Sequence, residues 1–162
     1  MSVRAEQELL SGVALAAFRL NGQFLEVAEE MARPLGLTAA WWQVLGAVLT
    51  RPLPVAGIAR EMGITRQSVQ RIANLLVDRG LAEYRPNPAH RRAKLVAPTP
   101  AGREALSGID PAHAALARRL IRAMGKDALA DVLAAMRQLS AVLDELAGDV
   151  DPYRTGRSGA VG

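Results

Sequence analysis

The sequence predicts a mainly helical protein with a small β-hairpin wing, arranged as a winged helix-turn-helix, and three observations lead to this prediction. Half of the 162 residues are hydrophobic but only 4% are aromatic, and a chain dominated by alanine and leucine favours packed helices. Apolar residues recur at helical spacing along most of the chain. In its middle, two short helical patterns around a glycine precede two extended runs joined by a basic loop.

The composition excludes several classes of function. The length suits a single domain, 1–162. The chain has no cysteine and two histidines, His90 and His113, which excludes thiolate metal sites, thiol catalysis and disulfides. We therefore expect no cofactor, no metal and no enzyme activity. No apolar run approaches the length of a membrane span, so a cytoplasmic location without membrane contact is expected.

Positive charge is concentrated in the middle of the chain. The formal net charge is +4, yet the segment Arg51–Arg103 contains ten basic residues and three acids, which leaves the two flanks negative. All the basic residues except Lys94 and Lys126 are arginines, which suit bidentate contacts to phosphate and guanine. A GC-rich genome is the alternative explanation of this arginine content.

The first third of the chain predicts two helices. Apolar residues at helical spacing indicate one helix over Val3–Arg33, which ends where Pro34 disfavours a helical residue before it. Thr38 is the expected N-cap of a second helix that reaches Thr50.

The middle of the chain predicts a helix-turn-helix. A third helix is expected over Val55–Met62 and a fourth over Thr65–Arg79, with Gly63 in the turn between them and Gly80 after the end. The apolar residues expected between these helices are Ala59, Ile64, Val69, Ile72 and Leu76.

The remaining elements complete a prediction of six helices. Two extended runs, Leu81–Arg85 and Ala93–Ala97, predict a hairpin with a basic tip. A fifth helix is expected over Thr99–Met124, with a kink or restart at Asp110-Pro111, and a last helix over Lys126–Ala147.

The terminal helices carry more apolar surface than one copy of the chain could cover, which predicts a homodimer. Residues 3–36 and 99–147 form the expected dimerisation region, and residues 38–98 form the expected DNA-binding lobe. Twofold symmetry would place two equivalent helices about 34 Å apart, which matches a palindromic operator on double-stranded DNA. The glycine-rich segment 148–162 is expected to be a disordered tail.

The polar face of the fourth helix is the expected base-reading surface. Arginine can bind guanine O6 and N7, glutamine or asparagine can bind adenine N6 and N7, and a helix N-terminus favours anions. Arg71 is the strongest single candidate, and an ordinary solvated helix face is the alternative. The predicted contact residues are Thr65, Arg66, Gln67, Ser68, Gln70, Arg71 and Asn74.

The hairpin tip is the second expected contact surface. Arg91 and Arg92 could place one guanidinium in the minor groove and the other on a phosphate, and Lys94 would add a phosphate contact. A merely solvated basic loop is the alternative.

The order of five short motifs strongly resembles the MarR family of transcriptional regulators, over roughly residues 5–147. The resemblance implies a triangular dimer whose first and last helices interlock, with each winged helix-turn-helix on half of an inverted repeat. It also implies a repressor that a small molecule, often aromatic or phenolic, releases from DNA. The motifs are Leu37-Thr38, Arg66–Arg71, Leu75–Leu81, Arg91–Val96 and Thr99–Gly102.

One position departs from the family pattern. The family usually has an aspartate two residues before the second wing arginine, where this chain has His90. Arg92 thus lacks its usual carboxylate partner, which predicts a looser and more cationic wing tip. Because histidine titrates near neutral pH, His90 is hypothesised to make DNA affinity rise as the pH falls.

The candidate ligand pocket is the least defined site. The resemblance places it between the dimer helices and the DNA-binding lobe, where Phe18, Trp41, Trp42 and His113 are the candidate residues. The alternative is that the three aromatics pack in the core or interface and that His113 is a surface or capping residue.

The leading hypothesis is a sequence-specific regulator that a ligand can release from DNA. The alternatives are a winged-helix module that binds a protein, an architectural protein that binds DNA without sequence preference or ligand response, and a small enzyme. The lack of cysteine, of paired carboxylates and of a phosphate-binding loop counts against the enzyme.

Overall fold

A computed structural model describes residues 1–149, which form seven α-helices and three short strands. The predicted fold class, mainly helical with a β wing, is confirmed. The elements are α1 (Val3–Ala32), α2 (Ala39–Ala47), β1 (Leu53–Pro54), α3 (Val55–Met62), α4 (Arg66–Asp78), β2 (Ala82–Arg85), β3 (Leu95–Pro98), α5 (Pro100–Ser107), α6 (Asp110–Met124) and α7 (Lys126–Asp149).

The chain divides into two compact units, Met1–His113 and the part from Ala114 onward. The hydrophobic core lies in the first unit, where α2, α3, α4 and the sheet contribute fully buried side chains. Leu45, Ile58, Leu76 and Val96 are each 0% exposed. Burial of branched side chains of this size stabilises a fold by about 1.5 to 3 kcal/mol each, so this core holds the helix-turn-helix in place.

The three strands form one antiparallel sheet in the order β1-β3-β2. In the hairpin, Tyr84 pairs with Val96 and Arg85 pairs with Leu95. The strand β1 was not predicted, because Leu53 and Pro54 are flanked by another proline and read as a helix stop. The missing N–H of Pro54 is tolerated because β1 lies at the edge of the sheet.

Helix α1 is joined to α2 by one polar contact. The Glu29 carboxylate accepts a hydrogen bond of 2.8 Å from the backbone N–H of Ala39, in the first turn of α2, where free N–H groups favour an anion. Thr38 caps the same helix as predicted, since its hydroxyl accepts from Trp41 N. Helix α2 ends at Ala47 rather than at Thr50.

Most of α1 is exposed in the single chain. Leu9, Leu10, Leu15, Phe18 and Phe24 are each more than half exposed, and at helical spacing they lie around more than half of the helix circumference. So large an apolar surface in contact with water indicates that another surface covers it.

The restart predicted at Asp110-Pro111 divides the predicted fifth helix into two helices, α5 and α6, which raises the helix count from six to seven. The chain leaves α5 after Ser107, buries Ile109 and starts again at Asp110. Pro111 suits this restart because N–H groups in the first turn of a helix have no partner within the helix, so the N–H that proline lacks is not missed there. Thr99 and Pro100 open α5 as predicted.

In the second unit, Gly125 separates α6 from α7 with a φ of +87°, a conformation that favours glycine. Helix α7 extends two residues beyond the predicted end at Ala147, and the rest of the predicted tail, 150–162, lies outside the described residues. The exposed large apolar residues of α7 are Val132, Leu133, Met136, Leu139, Val142, Leu143 and Leu146. None of the helices within residues 1–149 has the length and apolar character that a membrane crossing needs.

Candidate nucleic-acid interface

The turn between α3 and α4 orients α4, which we call the recognition helix. Gly63 adopts a φ of +65°, and its position after α3 lets the chain turn without strain. Thr65 caps α4 by accepting a hydrogen bond from Ser68 N. Val69, Ile72 and Leu76 then anchor the inner side of α4, because each is at most 4% exposed.

The outer side of the recognition helix presents only polar side chains near its start. The residues Arg66, Gln67, Gln70, Arg71 and Asn74 are all exposed, as the helical spacing predicts. Ser68 is half-buried, and its Oγ accepts a hydrogen bond of 2.9 Å from the Thr65 hydroxyl. Thr65 and Ser68 therefore hold the helix start, and the other five side chains are exposed on the side that a ligand can contact.

The wing, residues 82–98, carries an exposed cationic tip. His90, Arg91, Arg92 and Lys94 are all exposed. Within residues 1–149 the ion pairs are Arg4–Glu8, Arg51–Glu61 and Glu83–Arg85, so no described carboxylate neutralises the tip. This leaves the tip cations free to bind phosphate.

An open crevice of about 360 Å³ lies between the recognition helix and the wing. Gln70 and Asn74 line it from the helix, and Tyr84, Arg92 and Lys94 line it from the wing. A crevice that combines amides and cations in this way fits a polyanion that also carries hydrogen-bonding groups.

Tyr84 joins the two sides of this crevice, and sequence reasoning missed it. Its hydroxyl accepts a hydrogen bond of 2.8 Å from Gln70 Nε2 and donates one to Asn74 Oδ1. Burial raises the pKa of the Tyr84 phenol above its ordinary value; the hydrogen bond from Gln70 lowers the pKa, and the negative charge of Asp78 raises it. The hydroxyl thus keeps its proton at neutral pH and can donate it. The sequence carries no signal for this role beyond the presence of a tyrosine in the extended run that precedes the basic loop.

A second group of side chains surrounds Trp42. One cavity of about 340 Å³ is lined by Trp42, Arg103 and His113 among others, and a more apolar one of about 290 Å³ is lined by Trp42, Phe24 and Met62 among others. The rings of Trp42 and His113 meet edge to face at 6.2 Å. The structure therefore brings two of the four candidate pocket residues together.

The other two candidate pocket residues lie elsewhere. Phe18 is 73% exposed on α1 and lines neither of the two cavities beside Trp42. Trp41 is half-buried, and the guanidinium of Arg79 lies 5.4 Å from its ring centroid. This cation–π contact joins α2 to the end of the recognition helix.

Comparison with known proteins places these features in a family. The family model described as MarR family matches residues 35–93, which contain the recognition helix and the wing tip. The uncharacterized protein Rv2011c of Mycobacterium tuberculosis is 40% identical over 126 residues, which are 78% of this chain and 88% of the relative.

Two solved structures share the fold. CouR from Rhodococcus jostii RHA1, bound to p-coumaroyl-CoA, has a TM-score of 0.66 at 22% identity, and the match covers 79% of this chain and 91% of CouR. A mutant of MarR from E. coli, complexed with operator DNA, has a TM-score of 0.64 at 19% identity, and the match covers 86% of this chain and 99% of that one.

Proposed function

Because the chain belongs to the MarR family of transcription regulators, we propose that it represses transcription as a homodimer on an inverted-repeat operator. One observation carries the sequence-specific part of this proposal. Five exposed polar side chains, including Arg71, lie on the outer side of a helix whose inner side is buried. An α-helix fits the major groove, where arginine and amide side chains discriminate between base pairs.

The wing supports the same proposal through charge. Arg91, Arg92 and Lys94 are exposed and have no carboxylate partner among the described residues. One guanidinium in the minor groove and the neighbouring cations on phosphates would fix the register of the recognition helix on the duplex.

The apolar stripes support the homodimer. Large side chains of α1 such as Phe18, and of α7 such as Leu143, are more than half exposed in the single chain. A second copy that covers them would remove this surface from water at about 25 cal/mol per Å² of apolar area. The resulting twofold axis relates two recognition helices and so accounts for an inverted repeat.

The test is DNA binding by the full chain as a function of sequence and salt. The operator is first recovered from a random duplex pool, and Kd is then measured for this operator and for a scrambled duplex. We expect two chains per duplex and a preference of about 10³-fold or more for the operator. The logarithm of the association constant is expected to fall with the logarithm of the salt concentration with a slope of roughly −4 to −6, from about six neutralised phosphates.

Three results would contradict the proposal. Equal affinity for operator and scrambled duplex would indicate an architectural protein. A slope near zero would indicate a module that binds a protein instead of DNA. Transcription that rises when the protein binds an operator placed within a promoter would contradict repression, though not DNA binding.

A ligand response is a separate part of the proposal, and the cavities beside Trp42 support it. The guanidinium of Arg103 donates one hydrogen bond of 3.1 Å to Leu49 O and lies at the same cavity as His113. An aromatic ring beside Trp42 and a carboxylate or phenolate beside Arg103 would match this lining. The complex of CouR with p-coumaroyl-CoA shows that one protein of this fold binds a phenolic compound.

Titration with p-coumarate and with p-coumaroyl-CoA is expected to quench the fluorescence of Trp42 and to weaken operator binding. The Trp41→Phe variant isolates the Trp42 signal, because the chain has two tryptophans. Arg103→Gln is expected to reduce the affinity for the ligand about tenfold, the loss of a charge-assisted hydrogen bond. If the ligand quenches the Trp42 fluorescence of Arg103→Gln and releases it from DNA at the same concentrations as the wild type, the placement of the ligand beside Arg103 is contradicted.

A further inference from the structure

We infer that Tyr84 is a specificity-positioning residue, which holds Gln70 and Asn74 in one coupled orientation so that each reads a single, different base-edge group. The inference rests on the proposed function, since it concerns how the recognition helix discriminates between base pairs. Tyr84 lies on the wing, 14 residues from Gln70 in sequence and 10 from Asn74. It therefore links the wing to the reading surface.

The three side chains form a closed triangle of hydrogen bonds. Gln70 Nε2 donates to the Tyr84 hydroxyl at 2.8 Å and to Asn74 Oδ1 at 3.1 Å, and the Tyr84 hydroxyl donates to the same Oδ1. The Gln70 amide nitrogen and both lone pairs of Asn74 Oδ1 are thereby engaged. Neither amide can turn over alone without breaking two of these bonds.

The triangle determines what remains available to DNA. Gln70 presents its Oε1, which is an acceptor, and Asn74 presents its Nδ2, which is a donor. Gln70 would thus accept from adenine N6 or cytosine N4, and Asn74 would donate to guanine O6, to a purine N7 or to thymine O4. This differs from the bidentate adenine contact that the residue types alone predict. That contact needs both the oxygen and the nitrogen of one amide, and the triangle engages the nitrogen of Gln70 and the oxygen of Asn74.

Tyr84 also holds a cation on the wing, by a different part of the side chain. Lys94 Nζ lies 5.9 Å from the centroid of the Tyr84 ring, a cation–π distance. The hydroxyl positions the amides, and the ring contacts the ammonium. A phenylalanine at this position keeps the ring and removes the hydroxyl, so the two roles can be separated.

The test measures base discrimination with the full chain and its selected operator duplex, in which each base pair of a half-site is replaced in turn. Gln70→Ala and Asn74→Ala first identify the two base pairs that the amides read, and each amide is assigned the base pair at which its own variant loses most discrimination. Tyr84→Phe is expected to lower discrimination at both base pairs by about fivefold or more, the lower end for one base contact. Its affinity for scrambled duplex and its salt slope are expected to match the wild type, because every cation is retained.

Lys94→Gln is the matched comparison, since it removes the cation and keeps the hydroxyl. It is expected to weaken binding to every duplex and to reduce the magnitude of the salt slope by about 1 for each chain. Its profile of base discrimination is expected to remain that of the wild type. The opposite results expected for Tyr84→Phe and Lys94→Gln distinguish the positioning of the amides by the hydroxyl from the attraction of phosphate by the cation.

A second variant keeps the inference testable if Tyr84→Phe folds poorly. Asn74→Ala removes another corner of the triangle, so it is expected to lower discrimination also at the base pair that Gln70 reads. Wild-type discrimination at that base pair in both variants would overturn the positioning role and leave the proposed function intact. A wild-type protein that does not discriminate between duplexes would instead overturn the proposed function.

Discussion

Replacing Gly102 by alanine is expected to lower the free energy of unfolding by about 3 kcal/mol, as overpacking against backbone does. An added Cβ would lie 1.9 Å from Leu81 O and 2.9 Å from Leu81 C. These are backbone atoms between the recognition helix and β2, and they cannot rotate away as a side chain could. Leu81 O also accepts a hydrogen bond of 3.1 Å from Thr99 N, so its displacement disrupts a second contact.

The same substitution is expected to impair DNA binding, because it separates α5 from the junction that orients the wing. Thr99 Oγ1 accepts from Gly102 N at 3.1 Å and donates to Gly80 O at 2.6 Å. This hydroxyl therefore connects the start of α5 to the end of the recognition helix. A shift of Gly102 strains that connection, and the affinity for operator is expected to fall together with stability.

Thermal and urea unfolding at a constant protein concentration measure the effect, since dimerisation makes the midpoint depend on concentration. A loss of about 3 kcal/mol corresponds to a fall in Tm of roughly 6 to 12 °C at this chain length. Gly57→Ala is the matched control, because its added Cβ meets no atom closer than 3.5 Å. Its free energy of unfolding is expected to rise, since alanine within a helix is more stable than glycine by about 0.5 to 1 kcal/mol. Equal stability of the two variants would contradict the close-contact argument.

Replacing Arg71 by alanine is expected to weaken operator binding by about 1 to 3 kcal/mol for each half-site and to relax the preference at one base pair. Arg71 lies exposed on the outer side of the recognition helix, one residue before the buried Ile72. Its guanidinium can reach guanine O6 and N7 as a bidentate donor. The lost base contact is not easily replaced, because Arg66 is the one other cation on this part of the outer face.

Arg92→Ala gives the contrasting result, and Arg33→Ala is the control outside the winged helix. Arg92 is exposed on the wing, so its loss is expected to weaken binding to all duplexes and to flatten the salt dependence, as for a phosphate contact. Arg33 is exposed after α1, and its replacement by alanine is expected to change neither the affinity for DNA nor the salt dependence. Wild-type affinity and base preference in Arg71→Ala would refute its assignment to base reading.

Local patterns were sufficient for most of the fold. The predicted limits of α3 agree with the structure, and Thr38, Thr65 and Thr99 are N-caps as predicted. These features depend on residues within a few positions of one another, such as a hydroxyl and the N–H three residues later. The restart predicted at Asp110-Pro111 is present. The sequence left a kink and a full break as alternatives, because periodicity continues across Ile109 and does not show where the backbone hydrogen bonds stop.

For the interface, the sequence predicted the exposed residues but not their mutual contacts. Helical spacing is enough to place Gln70, Arg71 and Asn74 outside and Ile72 inside. It does not show that Gln70 and Asn74 are bound to each other and to Tyr84, because that depends on the path of the wing. The amides consequently have fewer free hydrogen-bonding groups than the residue types suggest.

The class of fold, the helix-turn-helix and the polar outer face could therefore be predicted from the sequence, because helix periodicity, capping and charge are local properties. The edge strand β1, the close approach of Gly102 to Leu81 O and the hydrogen bonds from the recognition helix to Tyr84 depend on the packing of the folded chain. Each of these joins groups at least 10 positions apart in sequence, and their distance in space is set by the packing of the core between them.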